Sequence, residues 1–156
     1  MPEGIRGLQS AFLATLRVEL AETHFLGDTP AGWRRIDTFR GGTLIGPRIN
    51  ARLLSGGSDS LLRRRDGAMQ PDVRLTVETD DGAIIQISYR GIRHGPPEVM
   101  ERIARGEEVP PEDYYLRNAP FFETGAVRYD WLNRIVAVGL GRREPDCAAY
   151  DIYEIL

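Results

Sequence analysis

Gly41–Gly67, GGTLIGPRINARLLSGGSDSLLRRRDG, decides how this chain is read. The glycine pair Gly41-Gly42 and a Gly46-Pro47 step precede an alternating run, with Ile49, Ala51 and Leu53 apolar and Arg48, Asn50 and Arg52 polar. That is the pattern of a strand with one dry face and one wet face. A second pair, Gly56-Gly57, leads to Asp59 and the run Arg63-Arg64-Arg65-Asp66-Gly67. Glycine serves where a chain turns sharply or lets another group come close. Two such clusters around one strand predict a sheet that bends at both ends, as a small barrel requires.

Working outward, the strand reading recurs. Between Ala11 and Ala21, Phe12, Ala14, Leu16, Val18 and Leu20 alternate with Leu13, Thr15, Arg17 and Glu19. Leu8, Phe12, Leu16 and Leu20 also recur every four residues, so a helix competes there, and the β character of the remaining chain favours the strand. Gly27–Gly32 reads as a loop. Trp33–Phe39 follows as a weakly patterned strand with Trp33, Arg35, Asp37 and Phe39 on one face. Thr79-Asp80-Asp81-Gly82 predicts a hairpin with a type I′ turn, joining Arg74–Thr79 to Ala83–Arg90. One helix is expected from Pro96-Pro97 to Arg105, opened by proline, charged suitably by Glu98 and Glu101, and stopped by Gly106. Tyr114–Arg117 and Phe121–Thr124 are β-prone, Asp130–Gly139 reads as a central strand, and Ala148–Leu156 closes the chain.

The sum is mainly β: a closed or nearly closed antiparallel barrel of about eight to nine strands with one short helix. At 156 residues it forms one domain over 1–156, with 1–10 as a flexible N-terminal segment. A net charge of −3, spread over mixed charges, gives no basic field for nucleic acid. No apolar run reaches the ~20 residues that span a bilayer, and MPEGIRGLQS lacks the core of a signal peptide. The single Cys147 cannot form an internal disulfide and fits a reduced, cytoplasmic setting. Two histidines and one cysteine, far apart, give no recognisable zinc spacing. Short sheet edges and loop aromatics are compatible with a homodimer.

Several motifs occur in a specific order: Gly41-Gly42, Gly46-Pro47, Gly56-Gly57-Ser58-Asp59, Asp66-Gly67, Thr79–Gly82, Gly91-Ile92-Arg93-His94-Gly95-Pro96-Pro97, Tyr114–Arg117, Phe122-Glu123-Thr124 and Tyr129–Asn133. From about Leu16 to Glu154 the chain thereby resembles the domain-of-unknown-function family 3237, also called uncharacterised protein family 0311. The resemblance implies a closed, calycin-like β-barrel and no agreed activity. Members of that family often carry an aromatic residue after the aspartate that matches Asp59. Ser60 stands there in this chain, so an aromatic wall of the pocket is missing or supplied elsewhere.

The residues able to carry chemistry each have a plainer reading. Asp59, after two glycines, is a candidate acid–base group inside a cavity or else an Asx-type turn residue. His94, at the mouth of the expected helix, is a candidate proton-transfer group or a loop histidine. Tyr114 is a candidate O–H donor to a developing negative charge or a packing residue, on the opposite face from Tyr115 and Arg117. Arg65, beside Asp66, is a candidate ligand-anion contact within what otherwise reads as a solvated charge run. Arg117 is a second anion holder, or the structural partner of a buried Glu123. Asn133 either orients a ligand carbonyl or caps a strand end, and Trp131 reads as pocket wall or core. Asp80 and Asp81 read as turn residues.

This inventory fits a small, partly apolar, carbonyl- or carboxylate-bearing molecule in the barrel interior. Asp59, Tyr114 and His94 would supply acid–base chemistry of isomerase, cyclase or lyase type without a metal or organic cofactor. Arg65, Arg117, Glu123, Trp131 and Asn133 would contact the ligand. A non-catalytic carrier or sensor, or a structural assembly domain, fits the same pattern.

Overall fold

A computed structural model describes residues 7–156. Residues 1–6 of the expected flexible segment lie outside the described residues, and Ser10 already opens the first strand. The strands are β1 (Ser10–Thr29), β2 (Gly32–Gly46), β3 (Ile49–Leu53), β4 (Ser58–Arg63), β5 (Met69–Gln70), β6 (Asp72–Thr79), β7 (Ile84–His94), β8 (Tyr115–Glu123), β9 (Ala137–Glu144) and β10 (Cys147–Ile155). All pair antiparallel in one sheet.

The sheet closes because β1 pairs with both β10 and β2. The rim of β2 splits its partners: Thr43–Gly46 pairs with β3, while Trp33–Thr38 pairs with β4. Strand β4 then bonds β6 and β5, which carry the ring to β7. Closure removes the edges of the ring itself, while β1 beyond Glu19 pairs with β2 alone and keeps one free edge. Ten strands form among the described residues, more than the sequence predicted, because the Asp59 segment and Met69–Gln70 are strands as well.

The glycine pair at 41–42 has a different role from the one expected. It does not end a strand; it lies inside the continuous β2, opposite Glu19 and Val18 of β1. Gly42 has φ +148°, and a Cβ there would fall 2.0 Å from the Arg17 carbonyl oxygen. The register between β1 and β2 slips beside this pair, a bulge that bends the wall while both strands run on. Likewise Gly27–Gly32 is no loop: β1 runs to Thr29 and only Pro30-Ala31 turn.

Three further local expectations are corrected. The 79–82 hairpin is real, but Asp80 and Asp81 do not take positive φ. Gly82 alone does, at +86°, with Gly82 N–H bonding Thr79 O at 3.0 Å and Thr79 N–H bonding Ala83 O at 2.9 Å. That is a type I turn with a glycine bulge, which spares the aspartates the left-handed region. The two β-prone segments around Pro120 are one strand, β8. The stretch read as a strand from Asp130 begins instead as 3₁₀ turns over Val127–Arg134, and β9 starts only at Ala137. Tyr129 and Leu132 reach the core from those turns, so apolar content without alternation misled the reading.

Alternation places Leu16, Leu44, Leu75, Ile85, Ile87 and Ile152 in a packed interior, all essentially without solvent contact. One half of the barrel is therefore solid. The helix α1 (Pro97–Ala104) forms as expected, between prolines and Gly106, and turns Met100 and Ile103 toward the other half. Among the described residues no helix is long and apolar enough to cross a membrane.

Candidate functional site

The polar half of the interior is built from register. Asp37 on β2 is paired with Asp59 on β4, Asp59 with Val73 on β6, and Val73 with Tyr89 on β7. Partners across antiparallel strands share a face, so Asp37, Asp59 and Tyr89 form one inward row. Tyr150 enters from β10. It has room because β9 carries glycine opposite it: a Cβ on Gly141 would fall 2.7 Å from the Tyr150 ring. The Tyr89 and Tyr150 rings meet with centroids 5.3 Å apart.

These groups line a cavity of about 30 Å³. A water needs on the order of 10–15 Å³ of such space, so the cavity takes one or two oxygen-sized atoms. Beyond it, beneath α1, lies an outer chamber of about 450 Å³ walled by Trp33, Met69, Met100 and Ile103 among others. Arg35, Arg93 and Arg143 line both spaces and so stand at their junction.

Two carboxylates serve this region in different ways. Asp37 is buried; it accepts Thr23 Oγ1 at 2.7 Å and pairs with Arg35 Nε at 3.3 Å. Asp59 is half-buried and accepts the Asp72 backbone N–H at 2.9 Å, and among the described residues no side-chain cation is bonded to it. Burial pushes its carboxyl up to about 6; the Asp72 bond opposes this, the Asp37 charge adds to it, and Arg35 and Arg93 pull it down. Burial holds the Tyr150 phenol above its ordinary value, and the Asp59 charge adds to that. Tyr89 is raised by burial, then by Tyr150 and Asp59. The arrangement is a carboxyl poised near neutrality beside two phenols that stay protonated, which can pass a proton and bear a hydrogen bond to an oxyanion.

Of the residues singled out in the sequence, Asp59 alone lines this cavity. Its aromatic walls are Phe39, Tyr89 and Tyr150. Tyr114 is buried beside the site; its Oη accepts the Arg143 backbone N–H at 2.7 Å. It thus anchors the strand that presents Arg143. His94 is exposed at the end of β7, its ring stacked on Tyr115 at 5.0 Å on the outer wall. Arg65 is exposed in the turn after β4, where Arg64, not Arg65, pairs with Asp66.

Arg117 lies outside, over the Tyr115 ring at 4.9 Å, donating to its neighbour's carbonyl, Leu116 O. Glu123 is exposed at the far end of β8. The expected Arg117–Glu123 bridge does not form. Six residues along an extended strand separate the two by roughly 20 Å. Asn133 clamps a loop: its Oδ1 accepts the Thr124 N–H at 2.8 Å and its Nδ2 donates to Thr124 O at 2.9 Å. Trp131 is half-buried under the Arg48 guanidinium, 3.7 Å from its ring centroid.

Three of the missed residues, Arg35, Asp37 and Tyr89, carried a signal along the chain. Arg35 and Asp37 sit on the face of Trp33–Phe39 that also carries Trp33 and Phe39, and Tyr89 shares a face with Ile85 and Ile87. Charge on an otherwise dry face marks a lined cavity. Arg93, Arg143 and Tyr150 carried no comparable local mark.

The whole-chain comparisons agree with this architecture. The family model described as "Protein of unknown function (DUF3237)" matches residues 8–155. The chain is 32% identical over 149 residues to the UPF0311 protein RPA1785 of Rhodopseudomonas palustris, covering 96% of this chain and 97% of that one. The crystal structure of RPA1785 superposes with a TM-score of 0.94, over 97% of this chain and all of that one. A β-barrel-like protein of Acinetobacter baumannii, 36% identical, superposes at 0.85 with 99% of both chains covered. More distantly, the hydroalkoxylation enzyme phnH of Penicillium herquei is 23% identical over 128 residues, covering 82% of this chain and 70% of that one. With residues 8–155 matched by the family model and a UPF0311 relative 32% identical over nearly the whole chain, this chain belongs to the DUF3237 (UPF0311) family of proteins of unknown function.

Proposed function

We propose that the barrel binds a small, partly apolar, oxygen-bearing molecule and moves a proton on it with Asp59, using no organic cofactor in the proton transfer itself. The observation that carries this reading is the Asp59 carboxyl, raised to about 6 at the wall of a cavity it shares with two protonated phenols. The inner cavity takes one or two oxygen atoms, the hydroxyl and the carbonyl, and the molecule's body occupies the outer chamber. The distant relative named as a hydroalkoxylation enzyme points to a reaction class, addition of an O–H across a carbon–carbon double bond.

In that class the bookkeeping closes within the site. Asp59 takes the hydroxyl proton as the oxygen bonds to the alkene carbon. The π pair moves through the conjugated system to a carbonyl oxygen, where Tyr89 or Tyr150 donates a hydrogen bond. The proton returns from Asp59 to carbon, so substrate and product are isomers. The reverse elimination uses the same groups.

A panel of small hydroxy-enones able to close to cyclic ethers tests the reading, with product followed by chromatography on a chiral phase. Wild type should enrich one enantiomer, and Asp59→Asn should retain binding but lose turnover by at least about a hundredfold. Binding without turnover by the wild type would leave a carrier and end the catalytic reading.

A further inference from the structure

Three guanidinium groups, those of Arg35, Arg93 and Arg143, face two carboxylates at the junction of the two spaces. One carboxylate, Asp37, is already engaged by Arg35 and Thr23. Arg93 Nε is sealed from solvent and has no hydrogen-bond partner among the described residues. Arg143 makes no ion pair among the described residues, and its backbone is held in place by Tyr114. A desolvated guanidinium without an acceptor is costly, and a fold retains one where something else supplies the acceptor.

We propose that Arg93 and Arg143, with Arg35 behind them, form an anion-holding end of this site, and that its ligand is a small organic carboxylate with an apolar body. The proposal rests on reading the cavity as a small-molecule site, and it does not depend on proton transfer by Asp59. A carboxylate meets the planar donor fork of an arginine with two parallel hydrogen bonds, so one ligand head can satisfy the orphaned Nε and a neighbouring N–H together. Burial, then Arg143 and Arg35, lower the Arg93 guanidinium to about 10, which leaves it charged at neutral pH and short of a counter-charge. The body is apolar because Trp33, Met69, Met100 and Ile103 wall the chamber that the head must pass. Beyond the three junction arginines the chamber carries one charge of each sign, Arg63 and Glu101, so it offers no further net positive charge for a second anionic group.

Benzoate and its neutral counterpart benzamide are the probes, titrated by calorimetry against the full chain in a buffer free of carboxylates and phosphate. Benzoate should bind at least about tenfold more tightly than benzamide. Arg93→Met and Arg143→Met should each erase that preference, and Arg117→Met, on the outer wall, should leave it intact. Asp59→Asn should keep the preference or strengthen it, since it removes a nearby negative charge. Equal affinities, no benzoate binding, or a preference that survives both methionine variants overturns the proposal. So does inorganic phosphate displacing benzoate at equal concentration, which would assign the site to phosphoryl groups. If a methionine variant fails to fold by circular dichroism, the wild-type benzoate-to-benzamide ratio decides alone. A benzoate preference without turnover of any hydroxy-enone would end the catalytic reading and leave this one standing; turnover without the preference would do the reverse.

Discussion

Asp37 and Asp59 are register partners on neighbouring strands, and Asp37 alone has a bonded cation, Arg35 at 3.3 Å. Asp59 has a backbone N–H and a cavity. One carboxylate is thereby spent on structure and the other is left poised for proton transfer.

That division sets a stability signature. The Asp59 carboxyl is raised in the folded state to about 6 from 3.8, so between those values the folded state holds a proton that the unfolded chain has released. Stability therefore falls as pH rises through this window, and the penalty is complete above it. Asp59→Asn removes the penalty while keeping an acceptor for the Asp72 N–H. Urea unfolding should find the variant more stable by ~2 kcal/mol at pH 7.5 and no more stable at pH 3.5. A variant less stable than wild type at pH 7.5 would contradict the raised value.

Asp37→Asn should act in two directions. It leaves Arg35 without its carboxylate in a buried setting, costing ~2–3 kcal/mol. It also removes a like charge beside Asp59, so the Asp59 midpoint should drop below its wild-type value of about 6. Carboxyl carbon shifts followed by NMR across pH 3–8 report the second effect directly. An unmoved midpoint would separate the two carboxylates electrostatically.

If Asp59 works as a base, its turnover rises with ionisation. The acid limb of the rate should have its midpoint near the Asp59 value of about 6, and Asp37→Asn should carry that limb to lower pH. A limb that stays fixed in the Asp37 variant assigns it to another group.

Tyr114→Phe deletes the Oη that accepts the Arg143 N–H at 2.7 Å and keeps the ring. The stranded donor should cost ~1–2 kcal/mol in chemical denaturation. The Asp59 midpoint should not change, because Tyr114 lines neither the inner cavity nor the outer chamber.

Gly42→Ala should be among the most damaging single changes. Its Cβ would fall 2.0 Å from the Arg17 carbonyl oxygen at φ +148°, and backbone cannot give way cheaply where β1 and β2 close the ring. A loss on the order of 3 kcal/mol or more is expected. Gly125→Ala, with nothing within 4 Å of its Cβ and no positive φ, serves as the matched control and should change stability by under ~1 kcal/mol. Equal midpoints in thermal melts of the two variants would refute the close approach at Gly42.

Local pattern carried much of the architecture. Alternation at Ile49–Leu53 and Arg74–Arg90, the Thr79–Gly82 turn and the proline-opened helix each came from side-chain period and backbone freedom, which act over a few residues. The number of short strands and the cost of exposed edges gave the expectation of closure, and the motif order gave the family. Where period is absent, sequence and structure differ: Asp130–Gly139 reads as one strand from its apolar and β-branched run, but Val127–Arg134 is held in 3₁₀ turns beside the Thr124–Asn133 clamp.

The site belongs to another scale. Asp59 is marked by its glycines; Arg35 and Asp37 are marked only by charge on a dry face, which the sequence reading passed over. Nothing along the chain links these to Tyr89, Arg93, Arg143 and Tyr150, which come from β7, β9 and β10. What joins them is the strand register of a closed ring, and register is fixed by long-range backbone pairing that leaves no trace in any short window. The same closure decides which side of each strand is inside, and so turns His94, Arg117 and Glu123 outward while a carboxyl and two phenols share one small space.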